Sequence, residues 1–217
     1  MTLCFDLDGT LVDTAPDLIR VLNDVIAMDG LPKTNFKEAR KAVGFGSRAL
    51  ISEAFMRAEA DLPPSRLDEL QQVFLARYAE DIAALSEPYA GVEDVLDDLV
   101  AHGARLTVCT NKPGYLARPL IKALGMNHYF DRVVGGDEPR RKKPHADHIF
   151  AAADHRRARD IVMVGDSYPD MRAAHNARVP AILVTYGYTQ ISPLKLKADR
   201  RIGHFRALPS ALESLRT

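Results

Sequence analysis

The sequence lacks the compositional extremes that mark a specialised class of protein. Only two cysteines occur among 217 residues, Cys4 and Cys109, and both lie in apolar runs. We expect them to be small buried residues of a protein in a reducing compartment, without a disulfide or a reactive role. Lysine and arginine total 29, as do aspartate and glutamate, and this balance predicts neither a nucleic acid nor an anionic membrane as partner.

Targeting and membrane signals are also lacking. The N-terminus leads directly into a strand-like run that carries acids, which does not resemble a signal peptide. No apolar stretch approaches membrane-spanning length, and no internal repeat or low-complexity tract is evident. We therefore expect a soluble, cytoplasmic protein.

What the sequence does contain is a pair of acids at the end of an apolar run. Leu3 to Leu7 is typical of a short buried strand, and Asp6 and Asp8 share one side of it, because alternate residues of an extended chain do so. Gly9 and Thr10 add an unhindered turn and a hydroxyl. This set suits a divalent cation and a phosphoryl group, with one acid to attack and the other to move a proton.

Two structural interpretations compete with this catalytic one. An Asp-x-Asp-Gly run also occurs in Asx turns and in calcium loops. A calcium loop requires further oxygen ligands, but Leu11 and Val12 stand in their places. An ordinary turn remains possible, although it does not explain two acids at the end of an apolar strand.

Further short apolar runs alternate with helical patterns along the chain. This alternation predicts an α/β fold with a Rossmann-like parallel sheet core and helices on both faces. After the first strand, the predicted strands are Leu106 to Cys109, Arg132 to Val134, Ile161 to Val164 and Ala181 to Val184.

The gap between the first two strands of this core is long and helical throughout. Thr14 and Asp17 are spaced as a capping box that opens a helix closing at Gly30. Two more helices are indicated by apolar residues at helical spacing, Leu50, Ile51, Ala54 and Phe55 in one and Leu67, Leu70, Phe74, Tyr78, Ile82 and Leu85 in the other. We expect a core formed by residues 1–14 and 87–217, with a four-helix domain, residues 15–86, inserted after the first strand.

Polar residues follow the predicted strands at their carboxyl ends, where sites form in open α/β sheets. Thr110 and Asn111 follow the second strand and can bind a phosphate oxygen, or they can cap the next helix. Lys143 lies in a basic loop of the kind usually found on the surface, but Pro144 holds it extended, as a fixed charge near carboxylates requires.

The fourth strand also runs into acids. Asp166 follows it directly, and Asp170 lies four residues further on. A helix N-cap at Asp166 or Ser167 would explain one acid but not Asp170.

These four motifs, in this order, resemble those of the haloacid dehalogenase-like phosphatases. The matching segments are Asp6-Leu7-Asp8-Gly9-Thr10, Thr110, Lys143-Pro144 and Gly165-Asp166-Ser167 with Asp170. The resemblance covers essentially the whole chain, and the helical insertion is similar to the small cap domain of that family. The combination is much more specific than any single motif.

The resemblance implies roles for these residues. Asp6 would attack phosphorus to form an aspartyl-phosphate, and Asp8 would protonate the leaving alcohol and then activate water. Mg²⁺ would bind through Asp6, the backbone carbonyl of Asp8, and Asp166, with Asp170 supporting the metal site. The phosphoryl oxygens and the rest of the substrate would be held by Thr110, Lys143, Gly9, Thr10 and Asn111. True dehalogenases lack the acid at position 8, so dehalogenation is disfavoured.

A finer resemblance is to the phosphoglycolate phosphatase branch, which implies 2-phosphoglycolate as the substrate. The segment from Val43 to Leu50 looks like the glycine-containing substrate loop of that branch. Gly44 and Gly46 would let the backbone approach a small ligand, and Arg48 would bind a carboxylate or else be a solvated first-turn residue. Another small phosphate ester, pyrophosphate or a nucleotide as substrate, a phosphomutase activity, and a non-enzymatic binding role remain open.

Two other features have structural interpretations. Arg178 stands where many relatives have a glycine after a helix, which predicts an unusual helix end or backbone strain. His145, His148 and His155 lie around a charged helix that we expect to be exposed, and metal binding by them is not expected.

Overall fold

The structure, a computed structural model, describes residues 1–215 of the chain. The chain divides into two compact units. The sheet unit joins Met1–Asp13 to the chain from Glu87 onward, and the helical unit is Thr14–Ser86.

The strands of the sheet unit are short, and a parallel sheet contains most of them. Within residues 1–215 they are β1 (Thr2–Phe5), β2 (Val12–Asp13), β3 (Glu87–Pro88), β4 (Arg105–Cys109), β5 (Arg132–Val134), β6 (Ile161–Gly165), β7 (Ala181–Val184) and β8 (Arg200–Ile202). Six form one sheet in the order β5-β4-β1-β6-β7-β8, with every neighbouring pair parallel. β2 and β3 form a separate antiparallel pair.

The helices belong to both units. The helical unit contains α1 (Ala15–Ile26), α2 (Phe36–Ala42), α3 (Ser47–Arg57) and α4 (Pro64–Glu80). The sheet unit contains α5 (Val92–Ala101), α6 (Gly114–Ala123), α7 (Ala146–Ala152), α8 (Tyr168–Ala177) and α9 (Leu208–Glu213). None of the helices in the described part of the chain has the length and apolarity needed to span a bilayer.

The central strand β1 is buried on both faces, because its neighbours in sequence point to opposite sides of the sheet. Cys4 packs in a buried cluster with Met163, Leu183 and residues of α7 and α8. The ring of Phe5 lies 5.9 Å from that of Phe205, just before α9. The predicted α/β fold, with a parallel sheet covered on both faces and a four-helix insertion, is confirmed.

The two cysteines are core residues, as expected. Cys4 and Cys109 are both fully buried and free of disulfides. Burial raises the pKa of the Cys4 thiol to about 11, so this side chain stays protonated and unreactive at neutral pH.

The strand predictions differ from the structure at two places. β1 ends at Phe5 instead of Leu7, because the Leu7 carbonyl accepts the N–H groups of Thr10, Leu11 and Val12, which curls the chain into a turn. β8 was not predicted. It contains two arginines and a single buried residue, Ile202, so it lacks the apolar run that marks the inner strands.

The capping box predicted at Thr14 and Asp17 is wrong. The Thr14 side chain makes no capping hydrogen bond to α1. The buried Asp17 carboxylate instead accepts hydrogen bonds from the N–H groups of Leu85 and Ser86 and from the Ser86 hydroxyl. Burial opposes ionisation, but the hydrogen bonds from Ser86 and Leu85 outweigh it and hold the pKa of Asp17 below its usual value. Asp17 thus fastens the end of the helical unit to its beginning.

The last helix of this unit is shorter than its apolar pattern predicts. α4 ends at Glu80, and Asp81 leaves helical geometry with a φ of −143°. Ile82 remains buried, but Leu85 is 52% exposed and does not belong to the helix face.

Arg178 ends α8 in the left-handed conformation, with a φ of 56° and a ψ of 41°. Its side chain is exposed. A residue with a Cβ atom is strained in this region, whereas glycine is not. The predicted strain at this helix end is therefore confirmed.

We expect Arg178→Gly to raise the free energy of unfolding by about 1 kcal/mol, because it removes the left-handed strain. Urea unfolding monitored by circular dichroism measures the change. Arg178→Ala is the control, since alanine removes the same exposed side chain but keeps the Cβ atom. Equal stabilisation by both substitutions would show that the arginine side chain, and not the backbone, is responsible.

Candidate active site

Asp6 begins the loop that follows β1, at the carboxyl edge of the sheet. Its N–H still donates to the Val164 carbonyl of β6, so the strand pairing fixes its backbone. Its Oδ1 atom accepts the N–H of Leu7 at 2.8 Å. Gly9 continues the turn with a φ of 83°, a value that favours glycine. The turn thereby holds the Asp6 carboxylate at the sheet edge.

Three buried carboxylates converge at this edge. Ligand atoms of Asp6, Asp166 and Asp170 all lie within 4.8 Å of one another. Asp6 follows β1 and Asp166 follows the adjacent β6, so the parallel register brings them together. Asp170 reaches them from the first turn of α8. Such a group of oxygen donors can hold a divalent cation.

Lys143 supplies the positive charge within this cluster. It is only 2% exposed. Its Nζ atom lies 2.9 Å from Asp6 Oδ1 and 2.6 Å from Asp170 Oδ1. Burial opposes its charge, but Asp170 and Asp6 more than compensate and hold the pKa of Lys143 above its usual value. The ammonium is therefore charged and fixed between two carboxylates.

One lysine does not neutralise three acids. Burial, followed by the charge of Asp170, raises the pKa of Asp6 to about 7 despite the attraction of Lys143. Burial and the charges of Asp170 and Asp6 raise the pKa of Asp166 well above its usual value. The cluster holds excess negative charge that a divalent cation would compensate.

Asp166 is held in a cradle of backbone and glycine. Its Oδ2 atom accepts the N–H of Tyr188 at 2.6 Å, and its Oδ1 atom accepts the Thr10 hydroxyl at 3.4 Å. A Cβ atom on Gly187 would lie 2.3 Å from Asp166 Oδ2, and one on Gly9 would lie 2.8 Å from it. Only residues without a Cβ fit here, so the carboxylate has a single orientation. This arrangement fits a metal ligand.

Asp8 lies apart from the three clustered carboxylates. Its Oδ1 and Oδ2 atoms accept hydrogen bonds from Lys112 Nζ at 3.1 and 3.4 Å. The Lys112 side chain is almost fully buried. The sequence interpretation missed Lys112, whose only signal was a lysine two residues after the strand-end hydroxyl of Thr110.

Thr110 and Asn111 do not cap the helix that follows them. The N-cap residue of α6 is Pro113, and the Gly114 N–H donates to Asp137 instead. The buried Thr110 hydroxyl accepts the N–H of Lys112. The Asn111 side chain donates from Nδ2 to the backbone carbonyl of Lys143 at 3.0 Å. Both residues therefore lie at the site, and the capping alternative is wrong.

Asp170 has a structural role that the sequence interpretation did not foresee. Its Oδ2 atom accepts hydrogen bonds from the N–H and the hydroxyl of Ser167, which completes a capping box at the start of α8. Its other oxygen binds Lys143. One carboxylate thus starts the helix and anchors the lysine.

The expectation that the histidines lie on an exposed helix is wrong for His148. This imidazole is fully buried. His145 instead accepts the N–H of Asp147 at the start of α7. The basic loop therefore carries a buried histidine next to Lys143, and the sequence pattern gave no sign of it.

The remaining predicted site residues lie in the helical unit. Gly46 has a φ of 86° and immediately precedes α3, and Gly44 lies in the short turn before it. Arg48 is in the first turn of α3 and pairs with Asp68 and Gln71 of α4. Substrate binding by these three residues stays a prediction.

Comparison with known proteins agrees with this geometry. The family described as Haloacid dehalogenase-like hydrolase matches residues 3–184. A phosphoglycolate phosphatase of Agrobacterium fabrum is 43% identical over 96% of this chain and 90% of its own, and one of Caulobacter vibrioides is 42% identical over 100% and 92%. The crystal structure of a predicted phosphoglycolate phosphatase from Haemophilus somnus has a TM-score of 0.89, 30% identity and 97% coverage of both chains.

Gly187→Ala is expected to weaken divalent-cation binding at least about tenfold, because the added methyl group displaces the Asp166 carboxylate. Calorimetric titration with Mg²⁺ measures the affinity. Gly203→Ala is the matched control, since the nearest atom to its new Cβ is 4.0 Å away. Equal affinities in both variants and the wild type would contradict the cradle.

Without divalent cations, we expect Asp6→Asn to stabilise the fold at pH 8 by on the order of 2 kcal/mol and to have little effect at pH 4. The pKa of Asp6 in the folded state, about 7, lies above its ordinary value of 3.8. The folded state therefore binds a proton that the unfolded chain releases, so wild-type stability falls as pH rises through this window.

Urea unfolding in EDTA at both pH values measures this difference. Asp24→Asn, at an exposed position, is the control and should give no pH-dependent gain. A gain for Asp6→Asn of the same size at pH 4 and pH 8 would contradict the explanation.

Proposed function

The chain belongs to the haloacid dehalogenase-like hydrolases, in their phosphoglycolate phosphatase-like branch, and is a phosphoric monoester hydrolase; from this premise we propose that it hydrolyses 2-phosphoglycolate to glycolate and phosphate with Mg²⁺. The observation that carries the proposal is the buried Asp6–Asp166–Asp170 cluster around Lys143. The substrate is proposed from the names of the relatives from Agrobacterium fabrum and Caulobacter vibrioides.

In the proposed reaction, Asp6 is the nucleophile. One of its oxygens forms a bond to phosphorus as the bond to the leaving alkoxide breaks, and an aspartyl-phosphate results. Its attachment to β1 and to the Leu7 N–H fixes the direction of attack. Its pKa of about 7 without a cation means that added positive charge is needed to keep it fully ionised.

Asp8 transfers the proton in both half-reactions. It protonates the departing glycolate oxygen, then removes a proton from the water that attacks the aspartyl-phosphate. Its carboxylate pairs with Lys112 instead of joining the acidic cluster. This separation supports its assignment to proton transfer and not to metal binding through its side chain.

The phosphoryl oxygens are bound by positive charge and by donors at the sheet edge. Lys143 offers a fixed ammonium, and Thr110 offers a hydroxyl at the end of β4. Gly9, Thr10 and Asn111 complete the proposed binding set. Phosphoryl transfer depends mainly on such positioning and on neutralising the charge that spreads over the oxygens.

We assign Mg²⁺ to Asp6, Asp166 and the backbone carbonyl of Asp8, with Asp170 as their support. When bound, the ion neutralises charge on the carboxylates and the phosphoryl group. The Asp166 cradle and the unbalanced charge of the three acids support this assignment. Both oxygens of Asp170 already bind Lys143 or Ser167, which fits a supporting role.

The helical unit is proposed as a cap that selects the substrate, with residues 15–86 as its extent and residues 1–14 and 87–217 as the catalytic core. Gly44, Gly46 and Arg48 are the proposed contacts to the glycolate carboxylate. In this structure Arg48 pairs with Asp68, so binding a substrate carboxylate requires exchange of that partner. The proposed partner is this small ester, without nucleic acid or membrane, in the cytoplasm.

An assay over a panel of phosphate monoesters tests the proposal. We expect Mg²⁺-dependent release of phosphate, with 2-phosphoglycolate among the best substrates, and loss of activity in EDTA. Asp6→Asn should lower kcat by more than about 10³-fold, because the amide cannot attack phosphorus. A wild type that binds phosphate but hydrolyses no ester would overturn the enzymatic role, and poor turnover of 2-phosphoglycolate by an active enzyme would overturn the substrate.

A second pair of variants separates proton transfer from metal binding. We expect Asp8→Asn to lower kcat by about 10²-fold or more while Mg²⁺ affinity stays within about threefold of wild type, because the proposed ligand at this residue is its carbonyl. Asp166→Asn should weaken Mg²⁺ binding by at least about tenfold. Calorimetric titration of both variants measures the affinities, and equal losses would contradict the division of roles.

A further inference from the structure

The backbone of Lys143 is held on both sides by side chains. Its N–H donates to Nδ1 of His148 at 3.3 Å, and its carbonyl accepts from Nδ2 of Asn111 at 3.0 Å. Its ammonium is bound by Asp6 and Asp170. A residue in an irregular loop is thus fixed at both ends of its side chain, although no sheet or helix contains it.

The protonation of His148 follows from its two partners. Nε2 lies 3.1 Å from the Val134 carbonyl, which can only accept, so Nε2 carries the proton. Nδ1 is then the acceptor that the Lys143 N–H requires. Burial, aided by the positive charge of Lys143, lowers the pKa of His148 to about 4, so the imidazole stays neutral.

The same histidine reaches a second phosphoryl-binding segment. The Val134 carbonyl that accepts from His148 also accepts the N–H of Thr110 at 3.1 Å. The imidazole therefore connects the loop of Lys143 to the end of β5 and, through it, to the end of β4. An apolar side chain would fill the same buried space but could form neither hydrogen bond.

Asn111 gives independent support. Its Oδ1 atom is buried and has no hydrogen-bond partner among the described residues. Burying an unsatisfied carbonyl oxygen is unfavourable. A side chain that bears this cost while its Nδ2 holds the Lys143 carbonyl is better explained by the placement of Lys143 than by stability alone.

We propose that His148 is a positioning residue that fixes Lys143, and with it the phosphoryl-binding geometry, for the proposed phosphatase reaction on which this inference rests. It touches neither substrate nor reacting atoms and acts through the Lys143 N–H. Catalysis by fixed charges depends on placement, and a displacement of about 1 Å can cost about 10²-fold in rate.

Three substitutions of His148 separate positioning from packing. In His148→Asn, the amide oxygen can occupy the place of Nδ1 and accept the Lys143 N–H. In His148→Gln, the longer side chain reaches the place of Nε2 and can donate to Val134 only. His148→Leu retains an apolar group of similar size and forms neither bond.

The experiment uses the full chain with Mg²⁺. We expect His148→Leu and His148→Gln to bind orthophosphate about tenfold or more weakly and to lose kcat, whereas His148→Asn stays within about threefold of wild type. Unfolding free energies measured in parallel should not follow this order. Phosphate affinity in His148→Leu equal to wild type, or losses that simply follow stability across the three variants, would overturn the proposal.

A separate readout keeps the inference distinct from the proposed function. In the wild type, ¹⁵N NMR should show His148 as the neutral Nε2–H tautomer, and the Lys143 amide should exchange slowly with solvent. His148→Leu should accelerate that exchange, and His148→Asn should not. Unchanged exchange in His148→Leu would refute the positioning role even in an active enzyme, whereas a wild type without phosphatase activity would refute the proposed function instead.

Discussion

The ammonium of Lys143 between Asp6 and Asp170 is the interaction on which the site depends. Three carboxylates within 4.8 Å of one another are unfavourable in a buried place, and the lysine removes only part of the repulsion. A buried ion pair contributes little to stability, yet losing one partner is costly. The site therefore trades stability for a set of charges that need a cation and a phosphoryl group to complete them.

Much of the site is rigid independently of any ligand. Hydrogen bonds hold Asp166 from Tyr188 and Thr10, and two glycines leave it a single position. Asp170 is fixed by the helix that it caps. Pre-organised charge is effective in catalysis because little reorganisation is left to the moment of reaction. The tight packing around Gly9 and Gly187 is thus a functional constraint as well as a steric one.

The sheet and the acids at its edge were predictable from the sequence for one reason. Buried parallel strands leave apolar runs in the sequence, and acids such as Asp6 and Asp166 interrupt those runs at the strand ends. What could not be predicted depends on contacts between distant residues. Asp17 was assigned to a local cap but binds Ser86, and Lys112 and His148 look like surface residues until the fold buries them. Local spacing carries no information on such partners.

The short antiparallel pair of β2 and β3 lies where the chain leaves the sheet unit and returns to it. Val12 pairs with Pro88 and Asp13 with Glu87, and the Tyr89 N–H donates to the Leu11 carbonyl. In topological terms, the whole helical unit is the loop of a β-hairpin. The entropic cost of closing such a loop rises only slowly with its length, so the hairpin tolerates loops of very different size. A lineage with this connection can exchange the segment that chooses a substrate and inherit the chemistry unchanged.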